Sequence, residues 1–205
     1  MSTKAIYVSV DIEADGLVPG LNSMLSLGAA SFTIDKELIA TFSANLEPLD
    51  DAEPYAKTME WWRQFPDAWK EVRRDPQAPE GVMRAFGAHL GALSRRWGRL
   101  VFMAYPASFD FAWINWYFRR FTGSNPFGAS GLCLRSYGAG MLECSYPEAE
   151  KERFPAHWFD GLPHTHVALD DALEQGAMGI NMLRESWGLP RIGKLVDRRS
   201  ENMDP

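Results

Sequence analysis

The first quarter of the chain alternates short apolar runs with turn-forming residues, a pattern typical of β-strands joined by turns. Apolar runs lie at residues 6–10, 24–34 and 38–46, with a Pro/Gly/Asn loop before the second and a charged turn before the third. Gly28 lies inside the second run, where a residue without a side chain indicates close approach of neighbouring backbone. Three such strands predict an antiparallel meander.

Helical spacing of apolar residues dominates the rest of the chain. Its predicted elements are helices at 58–65 and 66–72, a helix from 79 to about 96, a strand at 100–104, and helices at 108–121 and 168–187. Ser108 is the expected N-cap of its helix, residues 132–142 fit a strand or a strand followed by a helix, and 143–163 indicate irregular structure. Together these elements predict an α/β fold with a mixed sheet flanked by helices. We expect one domain over residues 1–205, with a flexible tail from about residue 190.

Composition narrows the class of protein. The chain has 205 residues, 46% of them hydrophobic, and a formal net charge of −6, which excludes a basic protein that coats long duplexes. It leaves room for a small site in which metal ions supply the positive charge. Cys133 and Cys144 form no C-x-x-C pair and indicate reduced thiols. With no leader sequence and no apolar run long enough to span a membrane, we expect a cytoplasmic protein.

Two acids follow the first apolar run. Asp11 and Glu13 are two positions apart, so on an extended chain their side chains leave the same face. Like charges at that distance repel, and burial raises their pKa values. A divalent cation between them relieves both effects, and oxygen-rich carboxylate sites suit Mg²⁺ or Mn²⁺. D-x-E pairs occur in very many proteins, and alone such a pair is more typical of the start of a solvated loop.

Further acids begin two of the predicted helices. Asp110 lies in the first turn of the helix after strand 100–104, and Asp171 in the first turns of the last helix, five residues after His166. Acids near a helix N-terminus are favoured by the helix dipole alone, and Asp170 fits such a capping role. His164 competes with His166 as the histidine of interest.

The combined pattern resembles a known family. The segments VDIEADGL at 10–17, SFDFAWI at 108–114 and HVALDDA at 166–172 resemble the motifs of the DEDDh group of 3′→5′ exonucleases. This is the DnaQ-like family, whose members have an RNase H-like fold. With the strand SMLSLGAASF, the resemblance covers most of the chain.

The resemblance implies a role for each motif residue. Asp11, Glu13, Asp110 and Asp171 would hold two divalent cations, Mg²⁺ or Mn²⁺, and His166 would deprotonate the attacking water. Two ions about 4 Å apart can stabilise both the attacking and the leaving oxygen of a displacement at phosphorus. Histidine titrates near the working pH, as a general base requires.

The resemblance also implies the substrate contacts. A 3′-terminal nucleotide would lie near the backbone after Glu13, at Ala14, with Leu17 against the last base. Many relatives have Thr at the Ala14 position and Asn at the position of Pro106, so these differences bear on substrate preference. The segment TMEWWRQFPDAW resembles the Trp-Trp helix of a bacterial exoribonuclease-like branch and makes Trp61 a candidate stacking surface. Its neighbours Trp62 and Phe65 fit either stacking or core packing.

The expected function is a metal-dependent exonuclease that releases nucleoside 5′-monophosphates from 3′ ends. An acidic chain suits single-stranded or short nucleic acid, with RNA slightly favoured over DNA, and the aromatic excess allows a homodimer. One alternative is a catalytically silent module of the same fold that binds nucleic acid or a protein partner. Another is a phosphohydrolase that acts on small nucleotides.

Overall fold

A five-stranded mixed sheet forms the centre of the computed structural model, which describes residues 5–195. The strands are β1 (Ala5–Ala14), β2 (Met24–Phe32), β3 (Leu38–Asn45), β4 (Arg99–Ala104) and β5 (Leu132–Cys133). Their spatial order is β3-β2-β1-β4-β5. The first three strands pair antiparallel, whereas β4 runs parallel to β1 and β5 parallel to β4. The predicted α/β fold with a mixed sheet is therefore confirmed, and β1 is its central strand.

Six α-helices accompany the sheet in the described part of the chain. They are α1 (Ala56–Trp62), α2 (Pro66–Val72), α3 (Pro79–Trp97), α4 (Ala107–Thr122), α5 (Leu134–Met141) and α6 (Ala168–Ser186). Residues 132–142 form a two-residue strand and then a helix, the second of the two alternatives. The irregular segment 143–163 contains three short 3₁₀ turns, at Tyr146–Glu148, Lys151–Arg153 and Ala156–Trp158.

The expected N-cap of α4 is wrong. The helix begins at Ala107, and Pro106 occupies the capping position without a side-chain hydrogen bond. The Pro106 carbonyl already accepts a hydrogen bond from the N–H of Phe109. Ser108 therefore lies inside the first helical turn, where its backbone is helical and its hydroxyl does not cap the helix.

The two faces of β1 contact different helices. Ile6, Val8, Val10 and Ile12 belong to a core shared with α3 and α4. Tyr7 belongs to the opposite core, which contains residues of α6. Because side chains alternate along a strand, Asp11 and Glu13 project from the face that α6 covers. The central strand thus presents its acids to the last helix of the chain.

Gly28 allows α6 to lie directly against the sheet. It pairs in register with Asp11, and a Cβ atom at this position would lie 2.2 Å from the carbonyl carbon of Ala168. The predicted close approach of a neighbouring backbone at Gly28 is therefore confirmed. Its consequence is that the N-terminus of α6 lies beside the acidic end of β1.

The chain after α6 returns to the body of the protein. The Arg184 guanidinium donates hydrogen bonds to the Pro190 carbonyl, and the backbone N–H of Leu195 donates to the Asp160 carboxylate. The remainder of the predicted flexible tail, residues 196–205, lies outside the described residues. Within residues 5–195, no helix combines the length and apolar character needed to cross a membrane.

Candidate active site

Four carboxylates converge at the C-terminal end of β1. Carboxylate oxygens of Asp11, Glu13 and Asp171 lie within 4.8 Å of one another. Asp110 reaches the same place from α4, because its Oδ1 accepts a hydrogen bond from the N–H of Ile12 at 3.1 Å. Ile12 lies between the two acids of the strand, so the acids of β1, α4 and α6 form one cluster. These are the four residues that the sequence pattern placed at a metal site.

Burial raises the pKa values of three of the four carboxylates. Burial raises the pKa of Asp110 to about 7, although the hydrogen bond from Ile12 acts in the opposite direction. Burial, followed by the charges of the neighbouring acids, also raises the pKa values of Asp11 and Glu13 well above their ordinary values. With a pKa of about 7, Asp110 is only partly ionised at neutral pH when no cation is bound. A divalent cation would offset the cost of burying these negative charges together, and carboxylate oxygens are suitable ligands for Mg²⁺ or Mn²⁺.

One cation of the chain itself lies near the acids. Lys151 Nζ forms a salt bridge with Glu174 and lies 5.4 Å from the ring centroid of Tyr105. Its charge lowers the pKa values of Asp11 and Asp110, against the larger effect of burial. The sequence analysis missed Lys151 because the segment around it has no periodic pattern. Its position depends on a contact with α6, 23 residues further along the chain.

Asp171 also organises the loop that precedes α6. Its carboxylate accepts hydrogen bonds from the backbone N–H groups of Thr165, at 2.8 Å, and His166, at 3.1 Å. His164 Nδ1 lies 3.1 Å from the same carboxylate. The neighbouring Asp170 accepts a hydrogen bond from the Thr165 hydroxyl. Both candidate histidines are therefore close to Asp171. Of the neighbouring acids Asp170 and Asp171, it is Asp171 that belongs to the carboxylate cluster.

Aromatic rings surround His166. Its ring centroid lies 4.3 Å from that of Phe65 and 4.9 Å from that of Trp61, both in edge-on geometry. Burial, followed by the charge of His164, lowers the pKa of His166, and Asp171 partly offsets this. The ring is thus largely neutral at neutral pH, the state in which an imidazole can accept a proton.

An open cleft of about 540 Å³ adjoins the acids. It is lined by Ile12, Glu13, Ala14, Gly16, Leu17, Tyr55, Lys57, Thr58, Trp61 and Phe109. The three residues predicted to contact substrate, Ala14, Leu17 and Trp61, therefore share one cleft wall beside Glu13. Leu17 is 61% exposed and is therefore accessible to a ligand in the cleft.

Trp62 has a structural role that its neighbour Trp61 lacks. It is only 2% exposed, and its indole N–H donates a hydrogen bond to the Ala14 carbonyl at 3.0 Å. This decides between the two interpretations of Trp62 in favour of core packing. The bond also attaches α1 to the end of β1, and so holds Trp61 in the cleft wall.

Comparisons with known proteins show the family of the chain. The sequence profile of the 3′-5′ exoribonuclease Rv2179c-like domain matches residues 6–182. The 3′-5′ DNA exonuclease Cap18 of Escherichia coli is 33% identical over 182 residues, which cover 85% of this chain and 90% of that protein.

Solved structures show the same fold at much lower identity. The nuclease domain of 3′hExo, a DEDDh family member bound to rAMP, matches with a TM-score of 0.67 and 11% identity, over 95% of this chain and 99% of that one. E. coli Exonuclease I in complex with a dT13 oligonucleotide matches with a TM-score of 0.57 and 18% identity, over 89% of this chain and 41% of that one. The fold predicted from the motifs is thus found in nucleases of the DEDDh type. From its motifs, its fold and these matches, the chain belongs to the Rv2179c-like family of 3′-5′ exoribonuclease domains and is a 3′-5′ exonuclease.

Proposed function

We propose that this exonuclease removes nucleoside 5′-monophosphates from the 3′ ends of single-stranded or short nucleic acid with the help of two divalent cations. The observation that carries the proposal is the convergence of four buried or partly buried carboxylates beside an open cleft. Asp11, Glu13, Asp110 and Asp171 would hold the cations, Mg²⁺ or Mn²⁺. The raised pKa values of Asp11, Glu13 and Asp110 support this assignment, because they show that burial makes these negative charges costly, and a bound cation would offset that cost.

The cations, when bound, would supply Lewis acidity and charge neutralisation at the scissile phosphate. The protein would contribute the remaining steps. His166 would accept the proton of the attacking water at a ring nitrogen, which its lowered pKa leaves free at neutral pH. The aromatic contacts with Phe65 and Trp61 would limit the movement of this ring while it acts as general base.

The cleft would bind the terminal nucleotide. Its exposed apolar residue Leu17 would contact the last base, and Trp61 would offer an aromatic face or edge. The backbone at Ala14 would lie near the terminal sugar. The apolar and aromatic lining of the cleft suits an unpaired terminal base, whose faces are free to contact such side chains.

The names of the family and of the relative point to different nucleic acids. The family is named for an exoribonuclease domain, whereas the relative from E. coli is named as a DNA exonuclease. We propose that RNA is slightly favoured. The acidic net charge of the chain argues for short or single-stranded ends over long duplexes of either kind, because a duplex surface demands a basic partner.

A digestion series tests direction, substrate and metal together. Single-stranded RNA, single-stranded DNA and duplex, each labelled at the 5′ end in one set and the 3′ end in another, are incubated with Mg²⁺ or Mn²⁺. We expect 5′-labelled single strands to give a ladder and 3′-labelled ones to release labelled mononucleotide at once. Asp11→Asn should abolish both signals, whereas the exposed-surface control Asp50→Asn should not.

Other outcomes would replace the proposal. Wild-type protein that cleaves no oligomer with either metal would favour the silent binding module. Faster hydrolysis of bis-p-nitrophenyl phosphate than of any oligomer would favour a phosphohydrolase of small nucleotides.

We further propose a cytoplasmic location. Cys133 and Cys144 are both free thiols, as expected of a protein in a reducing compartment. A homodimer stays a prediction, which light scattering of the purified protein would test.

A further inference from the structure

A second group of ligand atoms lies at the edge of the acidic cluster. One ring nitrogen each of His164 and His166 and one carboxylate oxygen of Asp171 lie within 4.8 Å of one another. The two imidazole centroids are 4.7 Å apart at an interplanar angle of 74°. Asp171 therefore belongs to two sets of ligands, one made of carboxylates and one made mainly of imidazoles.

The donor atoms of the second set suit a different metal. Two imidazole nitrogens with one carboxylate oxygen are ligands typical of Zn²⁺, whereas Mg²⁺ and Mn²⁺ favour oxygen. Ligands in a tetrahedral zinc site lie about 2.0–2.2 Å from the ion, which separates them from one another by about 3.3 Å. His164 Nδ1 and Asp171 Oδ2 are already 3.1 Å apart, and the three ligand atoms all lie within 4.8 Å of one another.

The mobility of the three side chains is favourable for such a site. Asp171 is fixed, because its side chain is 3% exposed and accepts hydrogen bonds from two backbone N–H groups. The side chain of His164 is 50% exposed and can reorient without disturbing the core. His166 has a left-handed backbone, with φ of 57°, which turns the short loop so that both rings lie over Asp171.

We propose that His164, His166 and Asp171 form a Zn²⁺ site that is separate from the carboxylate site and inhibits the enzyme when filled. A bound zinc ion would occupy the imidazole of His166 and withdraw Asp171 from the carboxylate cluster. The zinc site itself follows from the geometry of the three residues and is independent of the proposed function. The inhibitory consequence rests on the proposed catalytic roles of His166 and Asp171.

A simpler account of His164 is an ion pair with Asp171. In that account the protonated imidazole interacts with the carboxylate and no metal binds. The two accounts differ in what a zinc titration does to the histidine rings, and they can be separated without any measurement of activity.

The direct test is NMR of the imidazole nitrogens during a Zn²⁺ titration of the full chain. The chain has four histidines, and His89 and His157 serve as internal controls outside the proposed site. The titration is run on Asp11→Asn, to weaken zinc binding by the carboxylates, and in parallel on wild type in excess Mg²⁺. We expect the signals of His164 and His166 to change together and to saturate at one ion per chain. Unchanged His164 and His166 signals in both samples would overturn the site.

A matched pair of variants tests the role of His164 in zinc affinity. Loss of an outer-shell partner costs about 10–100-fold in metal affinity, and loss of a direct ligand should cost at least as much. His164→Gln should therefore weaken zinc binding about tenfold or more, whereas His157→Gln should leave it unchanged. Equal zinc affinity in wild type and His164→Gln would show that His164 is not a ligand.

The inhibitory consequence is measured separately. Each protein is assayed on a labelled single strand in saturating Mg²⁺, and zinc inhibition is expressed relative to the activity of the same protein without zinc. His164→Gln should need about tenfold more zinc for half-inhibition. If zinc binds at the three residues but inhibits His164→Gln as strongly as wild type, the inhibitory role is refuted. If no oligomer is cleaved, the proposed function fails, while the NMR result still decides the zinc site.

Discussion

Replacing Asp110 with asparagine should stabilise the metal-free protein while destroying its activity. Asp110 is 3% exposed, and burial raises its pKa from the ordinary 3.8 to about 7. Between these two pH values the native protein keeps a proton that the unfolded chain has lost. The free energy of unfolding therefore falls as the pH rises from about 4 to about 7, and the penalty is complete above pH 7.

The size of the effect follows from that pKa. The rise spans roughly three pH units, and at about 1.4 kcal/mol for each unit the penalty is about 4 kcal/mol. The amide side chain introduced by Asp110→Asn would keep an oxygen to accept the hydrogen bond from Ile12 but would carry no charge. Since 1 kcal/mol moves the Tm of a chain of this size by about 2–4 °C, the variant should melt roughly 10 °C higher at pH 8 in EDTA.

The assay compares thermal and urea unfolding of wild type and Asp110→Asn at pH 4 and pH 8 in EDTA, and again in excess Mg²⁺. The advantage of the variant should be near zero at pH 4, large at pH 8, and reduced by Mg²⁺, because the ion binds the native wild type more tightly. The exposed-surface control Asp50→Asn should differ from wild type by less than about 0.5 kcal/mol at either pH. A variant that is less stable at pH 8, or whose advantage is the same at both pH values, would refute the reasoning.

Three further predictions concern the surroundings of the acids. Gly28→Ala should destabilise the protein by about 1–3 kcal/mol and reduce activity more than about tenfold, because the added Cβ would meet the backbone at the start of α6. The control for both measurements is Gly81→Ala, where the added atom meets nothing within 4 Å. In saturating Mn²⁺, activity should fall as the pH is lowered, with an apparent pKa below the 6.5 of ordinary imidazole, because burial disfavours protonated His166. A fall in activity centred above pH 6.5 would contradict the assignment of His166 as the base. Trp61→Ala should raise KM by about 5–150-fold, which is equivalent to the loss of one stacking contact of about 1–3 kcal/mol. The control Trp69→Ala removes a ring that packs on Trp62 outside the cleft, and it should lower stability without that change in KM.

The local pattern of the sequence was sufficient to predict most of the helices and strands and to place two of the four acids of the cluster on one face. Period-two and helical spacing located most of the strands and helices, because burial of one face imposes that spacing on neighbouring residues. The i, i+2 relation of Asp11 and Glu13 required a common face, and Gly28 indicated a close backbone neighbour. The motif order, through the family resemblance, then predicted Asp110 and Asp171 as their partners, although nothing local in the sequence measures the distance between them.

Tertiary contacts decided what local periodicity could not express. The N–H of Ile12 that binds Asp110 belongs to a residue 98 positions away. The neighbours of His166 and the position of Lys151 likewise depend on α1, the irregular segment and α6 meeting at one end of the sheet. Trp61 and Trp62 are identical in type and adjacent in sequence, yet only the packed structure assigns one to the cleft and the other to the core. Sequence patterns report which faces are buried, whereas the electrostatic properties of a site depend on which distant charges are buried together.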